Sequence, residues 1–156
     1  MDTKKIFEKK ERIKLFIREL QGYFVDKDTE AFNDVIKAFK MPKDTEEEKK
    51  VRSKAIQEGY KKAAMVPFET AEVCGKILDL AEVIAEKGNR SSVTDAAVSA
   101  LMADAGVESA ILNVKINLGS IKDEVFVKDM VSKLDKLEKD SRFKKDQIAD
   151  VVRKCL

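Results

Sequence analysis

Histidine and tryptophan are absent from the 156 residues, and there are only 2 prolines, 6 glycines and 2 cysteines. Without imidazole the commonest proton shuttle, nucleophile activator and metal ligand is missing, so any acid–base step falls to carboxylates, amides, hydroxyls or water. Cys74 and Cys155 are far apart and neither has a neighbouring cysteine, which excludes a structural zinc site; two unpaired thiols suit a reducing cytoplasm. An excess of one charge is lacking too. Thirty-one basic and 29 acidic side chains interleave to a net +2, which gives no electrostatic footprint for nucleic acid. No uninterrupted apolar run approaches membrane-spanning length, and the Lys-rich start leads into an amphipathic segment rather than a signal peptide. The expectation is a soluble, cytoplasmic, single-domain chain (1–156) with no metal, nucleic acid or membrane partner. Polar–apolar alternation of the kind a half-buried strand needs is also missing, as are internal repeats.

What is present points to helices. The chain is 44% apolar and 38% charged, rich in Ala, Leu, Glu and Lys. Ile6, Ile13, Phe16, Ile17, Leu20 and Phe24 give a first amphipathic helix from Asp2 to about Phe24, broken by Asp26-Lys27-Asp28. Ala31, Phe32, Val35, Ile36 and Phe39 mark a second, stopped near Met41-Pro42. Thr45 with Glu48 has capping-box spacing and opens a third, which Pro67 bends or restarts. Phe68 to Lys87 is a fourth, with Gly88 placed for a left-handed cap. After Asn89-Arg90-Ser91-Ser92 a long helix reaches about Asn117 and ends at Gly119. Ser120 with Asp123 opens another, carrying Met130, Leu134 and Leu137, and a last short one starts near Ser141. The predicted architecture is all-α: a mostly antiparallel bundle of six or seven helices around a buried, Ala-rich central helix.

That central segment, Val93 to Asn117, is the most informative. Ala96, Ala97, Ala100, Ala103, Ala105, Gly106 and Ala110 let neighbouring helices approach closely. At about 100° per residue, Asp95, Ser99, Met102, Gly106, Ser109, Asn113 and Asn117 fall within about 40° of one line, a polar stripe of mostly small residues. Opposite it, Asp104, Glu108 and Lys115 form a charged strip assigned to solvent, which turns the stripe inward or into a cleft. Buried amides and carboxylates need partners, so the stripe is either a satisfied network or the lining of a site. Ser92-Val93-Thr94-Asp95 also fits a capping box, as the structural reading requires. Elsewhere, Cys74 reads as core, Glu46-Glu47-Glu48 as a solvated first turn favoured by the helix dipole, and the Lys pairs 4–5, 9–10 and 61–62 as ordinary surface.

Several strings in order then carry a resemblance: Asp26-Lys-Asp28-Thr-Glu-Ala31-Phe32, Lys40-Met-Pro42-Lys-Asp-Thr45, Val66-Pro67-Phe-Glu-Thr-Ala71, Lys87-Gly88-Asn89-Arg-Ser-Ser-Val-Thr-Asp95 and Asn113-Val-Lys-Ile-Asn117-Leu. Together they resemble the formiminotransferase-cyclodeaminase C-terminal family, which includes methenyltetrahydrofolate cyclohydrolases. The resemblance implies an all-α, dimeric, folate-dependent enzyme that makes or opens the methenyl bridge of tetrahydrofolate, by cyclodeaminase or cyclohydrolase chemistry, with a tetrahydrofolate derivative as substrate and no prosthetic group. It places Asp95 as proton acceptor or relay and Asn113 and Asn117 as orienting water or pterin. Asn89, Arg90, Ser91, Ser92 and Ser109 become substrate-binding candidates, with Arg90 available to the glutamate carboxylates of folate. Family members carry roughly fifty further N-terminal residues with a glycine-rich turn, a wall of the pocket that the sequence given starts after. The competing reading is a non-catalytic helical relative whose stripe fixes helix register or an interface. Homodimerisation is expected through the first helix near Phe16 and Leu20 or the central helix near Ala100 and Ala103.

Overall fold

In the computed structural model, residues 22–89 and 92–155 are described. They form four helices and, among the described residues, no strand: α1 (22–39), α2 (Glu46–Lys87), α3 (Val93–Leu118) and α4 (Glu124–Cys155). Fewer and longer elements replace the expected six or seven, because three expected breaks do not occur. Asp26-Lys27-Asp28 lies inside α1, where Lys27 reaches Glu69 on α2 at 2.9 Å and covers the Tyr23 ring at 4.7 Å. Ser141 lies inside α4. Its hydroxyl, at the expected start of a separate last helix, is buried against Asp104 of α3 instead.

Pro67 sits inside α2, which runs on for 42 residues. Proline has no N–H to give the carbonyl four residues back, so the oxygen of Ala63 loses its helical donor. The Asn117 amide supplies one from α3, at 3.2 Å. An orphaned carbonyl satisfied by a neighbouring helix explains why the helix continues through the proline.

Helix ends follow the sequence in two places and depart from it in two. Thr45 and Glu48 make the reciprocal capping box, with Glu48 N–H donating to Thr45 Oγ1 at 3.1 Å and Thr45 N–H to Glu48 Oε2 at 3.0 Å. Asp123 caps α4 by accepting from Phe126 N–H at 3.1 Å. Ser92, by contrast, makes no cap bond to α3: its hydroxyl turns back to the Asn89 carbonyl at 3.0 Å. Gly88 is not left-handed (φ −70°). A glycine is needed there for closeness, since a Cβ would stand 2.3 Å from the Ile84 carbonyl oxygen.

The cross-helix contacts fix the topology. Lys27–Glu69, Asp34–Lys62 and Phe39–Arg52 run α1 antiparallel to α2. Cys74 beside Gly106 and Ala63 beside Asn117 do the same for α2 and α3, and Asp104–Ser141 with Lys115–Glu138 for α3 and α4. One side of α3 is packed between α2 and α4. Phe68, Val107, Ile111, Val114, Met130 and Leu134 form one core cluster; Leu78, Ala81, Ala96, Ala100, Ala103 and Ile148 form the other. Burying such side chains is worth roughly 1.5–3 kcal/mol each for the large ones. Ala100 and Ala103 are therefore inside the chain's own core and are not available to a second copy, as had been expected. Phe16 and Leu20 lie outside the described residues.

The charged strip of α3 also differs from expectation. Asp104 is buried, accepting from Ser141 Oγ at 2.5 Å and paired with Lys145 at 3.1 Å. Glu108 meets Arg142 at 3.0 Å. The strip faces α4, and the opposite arc of α3 is open: Val98, Leu101, Met102, Leu112 and Ile116 are all more than half exposed. Apolar on both sides, α3 has length and composition sufficient to cross a membrane, with mean hydropathy 1.3 over its most apolar window, contrary to the sequence expectation.

Surface ion pairs and cap hydrogen bonds lower the pKa of three carboxyls. Lys62 beside Asp34, the Thr45 and Asp44 N–H groups on Glu48, and Lys61 beside Asp123 hold those carboxyls below their ordinary values. A folded pKa below the unfolded one stabilises the fold at pH above the unfolded value and is lost as pH falls through the folded one. The melting temperature followed from pH 7 to 2 should therefore fall modestly below about pH 4 through these groups. Glu48→Gln and Asp123→Asn should flatten that fall; an unchanged acid limb in both would refute the assignment.

Candidate functional site

Between α1, α2 and the C-terminal half of α3 lies a cavity of about 820 Å³, within the range that holds small organic ligands. It exists because α1 is held at its C-terminal half, where Val35 packs on Gly59 of α2 so closely that an added Cβ would stand 3.1 Å from Val35 Cγ2, while α3 passes behind α2. One wall is aromatic: Phe24, Phe32 and Phe39 of α1 with Tyr60 of α2, Phe39 and Tyr60 meeting edge to face at 6.3 Å. The facing wall is small and polar: Gly106, Ser109, Asn113 and Asn117 of α3 with Thr70 and Cys74 of α2. Among the described residues, Asp28 on α1 is the carboxylate that lines it.

Each polar group on the far wall is held differently. Asn117 gives both its amide hydrogens to carbonyls, Ala63 at 3.2 Å and Asn113 at 3.0 Å, which leaves its side-chain oxygen for a ligand. Ser109 Oγ donates back to Ala105 O at 2.7 Å and keeps its lone pairs. Among the described residues the Asn113 side chain makes no hydrogen bond, so both its donor and its acceptor are free at the exposed rim. Burial raises the Cys74 thiol above its ordinary value, which keeps it protonated and inert at neutral pH.

The structure thus brings together Ser109, Asn113 and Asn117 of the sequence candidates. It separates them from Asp95, which is exposed in the first turn of α3. Eighteen residues of helix put Asp95 about 27 Å from Asn113 along the axis. Asn89 and Ser92 are tied to each other in the α2–α3 connection, Ser92 N–H reaching Asn89 Oδ1 at 3.1 Å; Arg90 and Ser91 lie outside the described residues. Asp28 and the aromatic wall were missed as site residues because Asp28 read as a helix breaker and the phenylalanines as core. Their signal was the number of apolar residues on α1, more than a helix packed by Ala31, Val35 and Ala38 requires.

The sequence profile of the formiminotransferase-cyclodeaminase family matches residues 2–136. The chain belongs to this family. A methenyltetrahydrofolate cyclohydrolase of Methylorubrum extorquens is 39% identical over 152 residues, 97% of this chain and 71% of that protein. The mouse formimidoyltransferase-cyclodeaminase is 39% identical over 102 residues, which are 65% of this chain and 19% of that protein. The crystal structure of a formiminotetrahydrofolate cyclodeaminase from Thermotoga maritima superposes with a TM-score of 0.72 at 29% identity, covering 83% of this chain and 61% of that one. The all-helical family fold expected from the sequence strings is the fold observed.

Proposed function

We propose that the cavity binds a tetrahydrofolate derivative and that the chain opens the methenyl bridge between N5 and N10 with water. The observation that carries this reading is the pairing of an aromatic wall and a carboxylate on α1 with free amide and hydroxyl groups on α3, in a chain matched along 97% of its length by a named cyclohydrolase. Folate asks for those groups. A pterin ring offers a flat face to Phe24, Phe32 or Tyr60. Its amino-pyrimidine edge carries two N–H donors, which one carboxylate accepts in parallel, the role of Asp28. The methenyl carbon is the electron-poor centre of an amidinium: water adds to it, loses a proton, and a C–N bond breaks to leave a formyl group on one nitrogen. Asn113 is free to orient that water, and Ser109 to accept from it.

A second reading has its own support in the Thermotoga structure and the mouse enzyme, whose names specify a cyclodeaminase. There N10 would attack a formimino carbon held at the same place and expel ammonia, with the same binding groups. Incubating the purified chain with methenyl-tetrahydrofolate, and separately with formimino-tetrahydrofolate while assaying ammonia, decides between the two. Asp28→Asn keeps the shape and loses the charge, and should weaken folate binding in calorimetry by about tenfold, or 1.4 kcal/mol. Absence of folate binding by the parent chain sinks the proposal.

A further inference from the structure

Ala63, Pro67 and Asn117 stand together on the cavity wall. Pro67 is buried inside α2 and has no N–H, so the Ala63 oxygen one turn back is left unused by its own helix. The Asn117 amide nitrogen reaches that oxygen at 3.2 Å and the Asn113 carbonyl oxygen at 3.0 Å. Two carbonyl oxygens beside a primary amide leave it one orientation. Only the NH2 group donates, and turning the amide over would set its oxygen against both carbonyls. Among the described residues the Asn117 Oδ1 receives no hydrogen bond, and no buried polar side-chain atom lacks a partner, so this oxygen is open on the cavity side.

We infer that Pro67 is a positioning residue that locks Asn117 as a hydrogen-bond acceptor, and that the locked oxygen takes the N8–H of a reduced pterin and so selects reduced folates over folic acid, an assignment that rests on the proposed function. With the amino-pyrimidine edge on Asp28 of α1, the second ring of the pterin lies toward α3. Asn113 and Asn117 are one helical turn apart, about 6 Å along the axis. With Asn113 at the methenyl carbon, which N5 carries, Asn117 is placed for N8 across the same ring.

The chemistry of N8 makes the lock consequential. N8 carries a hydrogen in dihydro- and tetrahydropterins and a bare lone pair in the aromatic ring of folic acid. An asparagine free to turn over would serve both, accepting from the first through its oxygen and donating to the second through its NH2. A locked one serves the first alone, because its oxygen then faces the lone pair of the second and two acceptors repel. Asparagine supplies the hydrogen bond; the proline one turn after Ala63 makes that bond discriminate.

Calorimetry with 7,8-dihydrofolate and folic acid tests the assignment, because these two differ only at C7 and N8 and neither carries a one-carbon bridge. The parent should bind dihydrofolate about tenfold more tightly than folic acid. Pro67→Ala gives the Ala63 oxygen a helical donor, keeps α2 helical and releases the amide, and should bring the ratio to about threefold or less, through tighter binding of folic acid. Adding Asn117→Asp to Pro67→Ala supplies a group that accepts in either orientation, and should restore the parental ratio. Asn117→Ala in the same background should bring the ratio to about one. A proline that only shaped α2 would not have its loss repaired by a carboxylate on α3. An unchanged ratio in Pro67→Ala, or one that Asn117→Asp does not raise, overturns the inference. A parent that binds both folates equally overturns it and leaves the proposed function standing. A parent that binds neither of them, nor tetrahydrofolate, refutes the proposed function and the inference with it.

Discussion

Lys145→Met should lower the unfolding free energy by about 2 kcal/mol, read as a lower urea midpoint at unchanged slope. Asp104 is 6% exposed at the junction of the two core clusters, with Ser141 and Lys145 as its partners. Removing the ammonium leaves a carboxylate out of water with a single hydroxyl donor, and such broken pairs cost 3–5 kcal/mol when both groups are fully buried. The Lys145 side chain is 25% exposed, so water recovers part of the loss, which sets the smaller figure. Replacing the whole cluster (Asp104→Leu, Ser141→Ala, Lys145→Met) removes the desolvation penalty along with the pairing and should restore stability to within about 1 kcal/mol of the parent. Equal midpoints for Lys145→Met and the parent would show that the cluster does no work in holding α4 to α3.

Asn117→Ala should cost about 1–3 kcal/mol, the desolvation penalty of a part-buried carbonyl left without a donor. The size of the effect depends on Pro67. With Pro67→Ala in place, residue 67 has an N–H for the Ala63 oxygen, and Asn117→Ala should then cost much less, a coupling of about 1 kcal/mol in a double-mutant cycle. Additive losses would mean that Asn117 acts on some other group. The cycle bears on function too, since an asparagine engaged in repairing a helix has only its carbonyl oxygen left for a ligand. Activity lost in Asn117→Ala should return in part in the double variant if the loss came through the α2–α3 contact, and should not return if the oxygen itself binds substrate.

The sequence determined the helical class, the cap at Thr45, the start of α4 within the Ser120–Asp123 stretch and the family, because these depend on local periodicity and on short strings of residues. It also placed Ser109, Asn113 and Asn117 on one line of α3, since helical geometry alone sets that. Which way the line points was decided by tertiary structure. The charges of Asp104 and Glu108 suggested solvent, yet α4 brings Ser141, Lys145 and Arg142 to meet them; a charge on a helix declares a need for a partner, which water or another helix can fill. Continuity of α2 through Pro67 was likewise out of reach of any local rule, because the donor that rescues Ala63 lies 54 residues away. Asp28 and the aromatic wall came to line the candidate cavity only when α1 was laid across α2 and α3, and Asp95 stands away from it because a helix fixes the direction of its side chains but also their spacing, and two groups on one face can stand a whole helix apart.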